Sequence, residues 1–496
     1  MVTNTATKGI STLEIVIAFA ILTLTLTGVI SLVFGNRTVV TDAQVSAEAL
    51  ARATDQLENA RQLSENNFFN IVGATTNETV DGLEYQKTLE VSDVTACLKQ
   101  ATSTVSWDTD PLRPQRISLA GLFSDVVGTL KLGGDCVLSS PDGWTKPKRF
   151  ASDTFNPGKP TILDALHKKV YVGVDKDPFL KIVDVTNATL GQTNGLILSF
   201  TNAFSLGVKP FSLDAIEVTS GAGQKKQYVY IAASSPTAQL MVVDATDPTQ
   251  PTLSSTIGLS PCVTGSFPQG WYVYAYDTRL YMVTRETTGP EFHVFSLSSP
   301  STPSELSVGG STCKGYELNA TVEQLIVRDQ VVGGVQKRYA YLVTDQNTKE
   351  IRVLDVTDPY AITEKTSVDL PGSTDAASLD LVGNKLYVGR LNVSGVTPEL
   401  LVYDVANPPS GLTLLGSKDI GTSVLGIRVV GNLAFLATAK TNQEFQVWNI
   451  KNPADIKNVA VFNFGNVVGQ GIDYEPNYIY ITGQATPNFQ VLYSAP

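Results

Sequence analysis

Few residues in this chain have the type and spacing that chemistry requires. Two histidines occur in 496 residues, His167 and His293. His167 stands beside Lys168 and Lys169 at an expected turn and His293 inside an expected strand, so general-base and metal roles have little imidazole to draw on. The four cysteines, Cys97, Cys136, Cys262 and Cys313, make no Cys-x-x-Cys pair and have no neighbouring histidine, as a zinc site would require. In an exported chain the even count fits two disulfides, and order along the chain suggests Cys97 with Cys136 and Cys262 with Cys313. Four separate buried thiols are the alternative. There is no Gly-x-Ser-x-Gly elbow, no Gly-x-x-x-x-Gly-Lys phosphate loop and no repeated Asp-x-Asp calcium loop. The expectation is a chain with no catalytic residues, no metal and no cofactor.

One carboxylate stands where it is costly. Leu13 to Phe34, LEIVIAFAILTLTLTGVISLVF, is the only long apolar run, and as a helix it would be roughly 33 Å long, enough to span a bilayer. Glu14 lies one residue inside it. Carrying a carboxylate towards a bilayer centre costs about 2.5–3.5 kcal/mol, so Glu14 calls for a partner.

The residues before the run, Lys8-Gly9-Ile10-Ser11-Thr12-Leu13-Glu14, resemble the class III signal of type IV pilins and type II secretion pseudopilins. The leader is short, polar and basic, Gly9 holds the position before cleavage, and the apolar run lies downstream of the cut. An ordinary secretory signal is cut after its apolar core instead. The resemblance implies that prepilin peptidase cleaves between Gly9 and Ile10, that the new amino terminus is methylated, and that Glu14 pairs with the terminal ammonium of a neighbouring subunit. A carboxylate and an ammonium that are each costly in lipid neutralise one another.

The elements that would carry these residues follow in order. From Asn36 to about Asn66, Val40, Ala43, Ala47, Leu50, Ala53, Leu57 and Ala60 recur at helical spacing between charged residues. Strand-like stretches follow at Gly82–Val94, Ala101–Trp107 and Gln115–Leu122, with a turn at Asp108–Pro111. The run from Leu83-Glu84-Tyr85 through Thr104-Val105-Ser106-Trp107 to Arg116-Ile117-Ser118-Leu119 looks like the sheet of minor pilins related to the type IV pilus modification family.

The remaining 350 or so residues repeat. An aromatic strand, a polar turn and an apolar strand ending near Asp and Asn/Asp-Pro recur from Val170, Val229, Leu280, Ala340, Leu386, Ala434 and Ile479. Copies such as VYIAASSPTAQLMVVDATDP resemble the LVIVD-repeat propellers, whose blades have four strands. Asp184, Asp244, Asp355 and Asp404 read as turn formers, because an Asx side chain caps a turn and proline stops a strand. The last copy ends after three strands, and Lys148–Phe155 is the expected donor of its fourth. Cys262 and Cys313 precede neighbouring inner strands and would share one face. Trp271, Tyr272, Tyr274 and Tyr276 are expected in the core rather than at a ligand.

The expected fold class is therefore an α+β pilin-like amino-terminal domain followed by an all-β seven-bladed propeller. Its parts are a leader at 1–9, a transmembrane and assembly helix at 10–35, a pilin-like helix and small β domain at 36–146, and the propeller at 147–496. A net charge of −11 and a pI near 4.8 exclude a nucleic-acid partner. The expected function is a minor pilin displaying the propeller for surface adhesion or protein recognition. The alternatives are a pseudopilin-like component that primes or caps a pilus or type II secretion apparatus, or a propeller enzyme tethered to the envelope. Expected partners are other pilin or pseudopilin subunits, prepilin peptidase, the inner membrane before assembly, and an unidentified surface or protein ligand. Expected localisation is single-pass in the membrane, then in an extracellular or periplasmic filament.

Overall fold

The computed structural model describes residues 12–68, 71–95, 98–108, 114–124, 144–219, 223–259, 263, 268–310, 314–392, 398–465, 468–475 and 478–494. The chain forms two compact units, the second of which includes 123–496.

The first unit holds most of one long helix, Thr12–Asn67, and most of a four-stranded sheet of Ala74–Val80, Leu83–Thr95, Leu98–Asp108 and Pro114–Ser124 paired in chain order. The third strand alternates strictly, and its buried side, including Val105 and Trp107, meets Ala49 and Ala53 of the helix together with Tyr85. Alanine at those two helical positions lets the backbone come close to the sheet. The first strand, ATTNETV, escapes the sequence reading because it is a wet edge. Most of its residues are exposed, so it shows no apolar alternation.

Two expectations are corrected here. The chain as a whole is nearly all β, so the α+β class with a pilin-like amino-terminal domain does not describe it. The single-pass membrane localisation falls as well, because no helix among the described residues is long and apolar enough to cross a membrane. Thr23, Thr25 and Thr27 interrupt the apolar surface of the long helix, each returning its hydroxyl to a carbonyl four residues back.

The second unit is a ring of seven sheets. The innermost strands are Pro160–Leu166, Pro210–Thr219, Gly270–Tyr276, Val322–Val332, Ala376–Val382, Val424–Val430 and Gly469–Glu475. Each packs against the innermost strand of the next sheet, and the seventh packs against the first, which closes a β-propeller. The second strands, such as Leu433–Thr438, are buried along their whole length because sheets cover both of their faces. This is why the repeat reads as unbroken apolar stretches.

Closure uses both ends of the unit. The seventh sheet takes Pro147–Asp153 as its outermost strand, paired antiparallel with Phe489–Ser494 from Phe489↔Asp153 to Ser494↔Pro147. That segment is the one from which the missing strand was expected. It removes two open edges at once. Trp144, just before it, is buried against Phe435 at 4.8 Å between ring centroids. The first sheet has three full strands, with Ile197 bridging Val183 on its outer side.

Candidate functional site

A cavity of about 1270 Å³ runs through the propeller, lined by the innermost strands of all seven sheets. Its polar side chains follow from position. In PTILDAL, PFSLDAI, AASLDLV and GQGIDYE the fifth residue is Asp164, Asp214, Asp380 or Asp473. An innermost strand has a neighbour on only one side, so alternate backbone N–H groups point towards the next sheet without a ladder partner.

The carboxylates supply those partners across the sheet junctions. Asp473 accepts from Ala165 N at 2.8 Å, Asp164 from Ala215 N at 2.8 Å, Asp214 from Ala275 N at 2.5 Å and Asp380 from Val429 N at 2.7 Å. Where the fifth residue differs, other groups bridge the junction. Between the third and fourth sheets, the hydroxyls of Tyr272, Tyr274 and Tyr276 accept from Gln324, Arg328 and the amide of Asp329. Gln324 then accepts from Leu379 N at 2.8 Å, and Arg428 Nε donates to Asp473 at 2.7 Å. All seven junctions are thus latched by side chains around the channel.

Burial pushes the Asp164 carboxyl well above its usual range, and the neighbouring Asp214 and Asp473 charges push the same way. Burial likewise raises Glu475 and Glu323.

A second set lies outside the channel. The residue just before the third strand is Gln239, Glu291, Glu350, Glu399, Glu444 or Asn488 in six sheets. Each accepts the amide of an apolar residue in the connection that follows the outermost strand: Leu259, Leu318, Leu370, Ile420, Phe464 and Phe155 respectively. These buried side chains hold the connections between sheets in place. Burial raises Glu291 to about 7 despite amide bonds from Leu318 and Thr287 that favour the charged form. In the unfolded chain Glu291 ionises near 4.5, so between about pH 4.5 and 7 the unfolded state loses its proton first. Stability is therefore expected to fall as pH rises through that window, by about 3 kcal/mol at most from this group. Glu291→Gln keeps an acceptor and should remove that part of the slope, as read by urea unfolding at pH 4.5, 6 and 7.5. An unchanged slope would assign the pH dependence elsewhere.

One end of the channel carries an aromatic and cationic mouth. Phe211 and Trp271 lie 4.5 Å apart between ring centroids, Lys209 stands 5.6 Å from Phe211, and Arg285 stands 4.7 Å from Trp271. Trp271 Nε1 donates to Glu323 at 3.3 Å. Lys209 and Phe211 flank the start of the second innermost strand, Trp271 is the second residue of the third, and Arg285 follows the strand paired with it. The mouth therefore opens where the strands meet the longer loops.

With this geometry in view, the second sheet matches a known family. Its second to outermost strands, residues 225–257, fit the LVIVD repeat. The chain is a β-propeller-like repeat protein, one of whose repeats matches the LVIVD model. No curated protein matches the sequence. Among solved structures, the computationally designed protein Ika8 is 13% identical, with TM-score 0.43, covering 70% of this chain and 99% of its own. A chain of the mitotic checkpoint complex is 10% identical, with TM-score 0.46, 72% and 96% covered. YCF48, solved with a bound peptide, is 14% identical, with TM-score 0.42, 71% and 95% covered.

The sequence-derived sites fare unevenly. Lys8, Gly9, Ile10, Cys97, Cys136, Cys262 and Cys313 lie outside the described residues, and Glu14 falls in the long helix with its side chain outside them. Asp184, Asp244, Asp355 and Asp404 each accept the amide two residues on, at 2.8 to 3.1 Å, and form the turns. His167 occupies a left-handed turn position, φ 54°, 3.4 Å from Glu217. His293 is fully buried, with Nε2 at 2.8 Å from the Pro290 carbonyl and Nδ1 at 2.7 Å from Glu305. Tyr276 belongs to a buried core cluster of the third and fourth sheets, Tyr272 and Tyr274 pack against it, and all three line the channel together with Trp271. The belt of aspartates and the glutamates before the third strands were not singled out, although both recur at fixed places in the repeat.

Proposed function

We propose that this chain is a protein-recognition module that holds a partner polypeptide at the Phe211–Trp271 mouth of its propeller. The pairing of two half-buried aromatic rings with a lysine and an arginine carries the reading. Trp and Arg are the side chains most enriched where binding energy concentrates, and rigid strands hold these before any partner arrives. Gln239, buried beside the mouth, donates to the Pro268 carbonyl just ahead of Trp271 and accepts from Leu259 N, so the approach to Trp271 is held in place before a partner binds. The channel aspartates already accept backbone amides, which favours binding over catalysis at this site.

The test is selection of a random peptide phage library on the immobilised full chain, followed by affinity measurement on the selected peptides. Trp271→Ala should weaken them about thirtyfold or more, the scale of a dominant anchor. Peptides that bind the variant as well as the parent would remove the mouth from the reading. Partners for assembly rest on the amino-terminal signal alone. A mature chain beginning at Ile10, weighed by mass spectrometry after expression in a piliated host, would support that signal, and one retaining residues 1–9 would oppose it.

A further inference from the structure

The two arginines of the channel are treated differently by their surroundings. Arg428 is paired, its Nε on Asp473 at 2.7 Å. Arg328, on the fourth innermost strand, has no carboxylate within ion-pair distance among the described residues. Its Nη1 donates to the Tyr274 hydroxyl at 2.5 Å and to its own strand's Val327 carbonyl at 2.9 Å. The Nε and Nη2 atoms, which form the side edge of the guanidinium, meet no acceptor among the described residues, and Arg328 lines the cavity. The ring of Tyr276 lies 5.5 Å from the guanidinium carbon. A guanidinium drawn away from bulk water is normally repaid by a counter-charge or a full set of hydrogen bonds. Here one nitrogen of three is engaged.

We propose that the channel binds a carboxylate-bearing small molecule on the Nε–Nη2 edge of Arg328, beside the tyrosines of the third sheet. The open edge offers two parallel N–H donors, the geometry that a planar carboxylate accepts with both oxygens. Tyr274 fixes the group by holding the opposite nitrogen. The charge of the channel selects a monoanion: Asp380 flanks both arginines electrostatically, and Asp164, Asp214 and Asp473 lie on the other strands of the belt. A phosphate or sulfate dianion would meet more repulsion there than a carboxylate. Tyr272, Tyr274 and Tyr276 present ring surface in the same space, so the group attached to the carboxylate is apolar or aromatic. This site is separate from the mouth and stands or falls without it.

Titration calorimetry of the full chain with sodium benzoate tests the proposal, with benzamide as the neutral counterpart of similar shape and inorganic phosphate as the competing anion. Benzoate should bind at one site per chain, benzamide should not saturate at the same concentrations, and phosphate should bind more weakly. Arg328→Gln should weaken benzoate about tenfold or more while Arg428→Lys changes it little. Absence of benzoate binding at tens of millimolar, equal binding of benzamide, tighter binding of phosphate, or unchanged affinity in Arg328→Gln would each overturn it. If Arg328→Gln fails to fold, the benzoate and benzamide comparison on the parent chain still decides.

Discussion

Replacing Ala151 by proline is expected to destabilise the propeller by roughly 3 kcal/mol or more, the cost of proline inside a paired strand. Ala151 lies in the strand that closes the ring, opposite Val491, and none of its surface is exposed. Proline removes a backbone donor from the ladder and puts extra ring atoms into a filled space against Phe489 and Val491. Because that strand joins the two ends of the second unit, its loss exposes edges on both sides of the closure. Urea unfolding followed by tryptophan fluorescence measures the effect, with Trp144 buried beside the closure as a reporter. Lys148→Ala in the same strand is exposed and should stay within about 0.5 kcal/mol of the parent. Equal effects from the two would show that the strand is not part of the closed ring.

Asp473→Ala is expected to cost about 3–5 kcal/mol, the range for breaking a buried charge pair by removing one partner. Asp473 serves two junctions, accepting from Ala165 on the first sheet and from Arg428 on the sixth. Its loss leaves an amide without an acceptor and a channel arginine without its counter-charge. Arg428→Ala alone leaves the carboxylate its amide bond, so its cost should be smaller. The double variant should cost less than the sum of the two, by about 0.5–3 kcal/mol. Strict additivity in thermal or urea unfolding would mean that the pair does not work as a unit.

The propeller was legible because its second and third strands are buried on both faces and end at a fixed Asx turn. Aromatic and β-branched runs stopped by Asp and Pro repeat in nearly every copy, and Asp184, Asp244, Asp355 and Asp404 make the turns that those residue types favour. The donor of the last strand could be placed because a three-stranded final copy leaves an edge. The belt was harder to see. Aspartate appears at the fifth place of four innermost strands, but Tyr274, Ile326 and Arg428 hold that place in the other three. A repeat sought by similarity misses residues that do one job with different side chains.

The amino-terminal region shows the opposite error. A long apolar run and one carboxylate supported a membrane span and a pilin-like domain, while no helix among the described residues is long and apolar enough to cross a membrane and the chain is dominated by strands. Trp271 and the tyrosines of the third sheet are expected in a core because aromatic residues in strands usually pack there; Tyr276 is in one, with Tyr272 and Tyr274 packed against it, and all four also face the channel. Their channel position depends on which face of the innermost strand turns inward, and that is fixed only once seven sheets surround one axis.

The most direct measurement is native-state hydrogen exchange at the amides of Ala165, Ala215, Ala275, Leu379 and Val429. Each bonds to a side chain of the neighbouring sheet, Asp473, Asp164, Asp214, Gln324 and Asp380 in turn. A latched ring requires all five to exchange only through global unfolding, at the rate of the buried second strands. Exchange of these amides by local opening, orders of magnitude faster than the second strands, would contradict a propeller held shut by side chains around its channel.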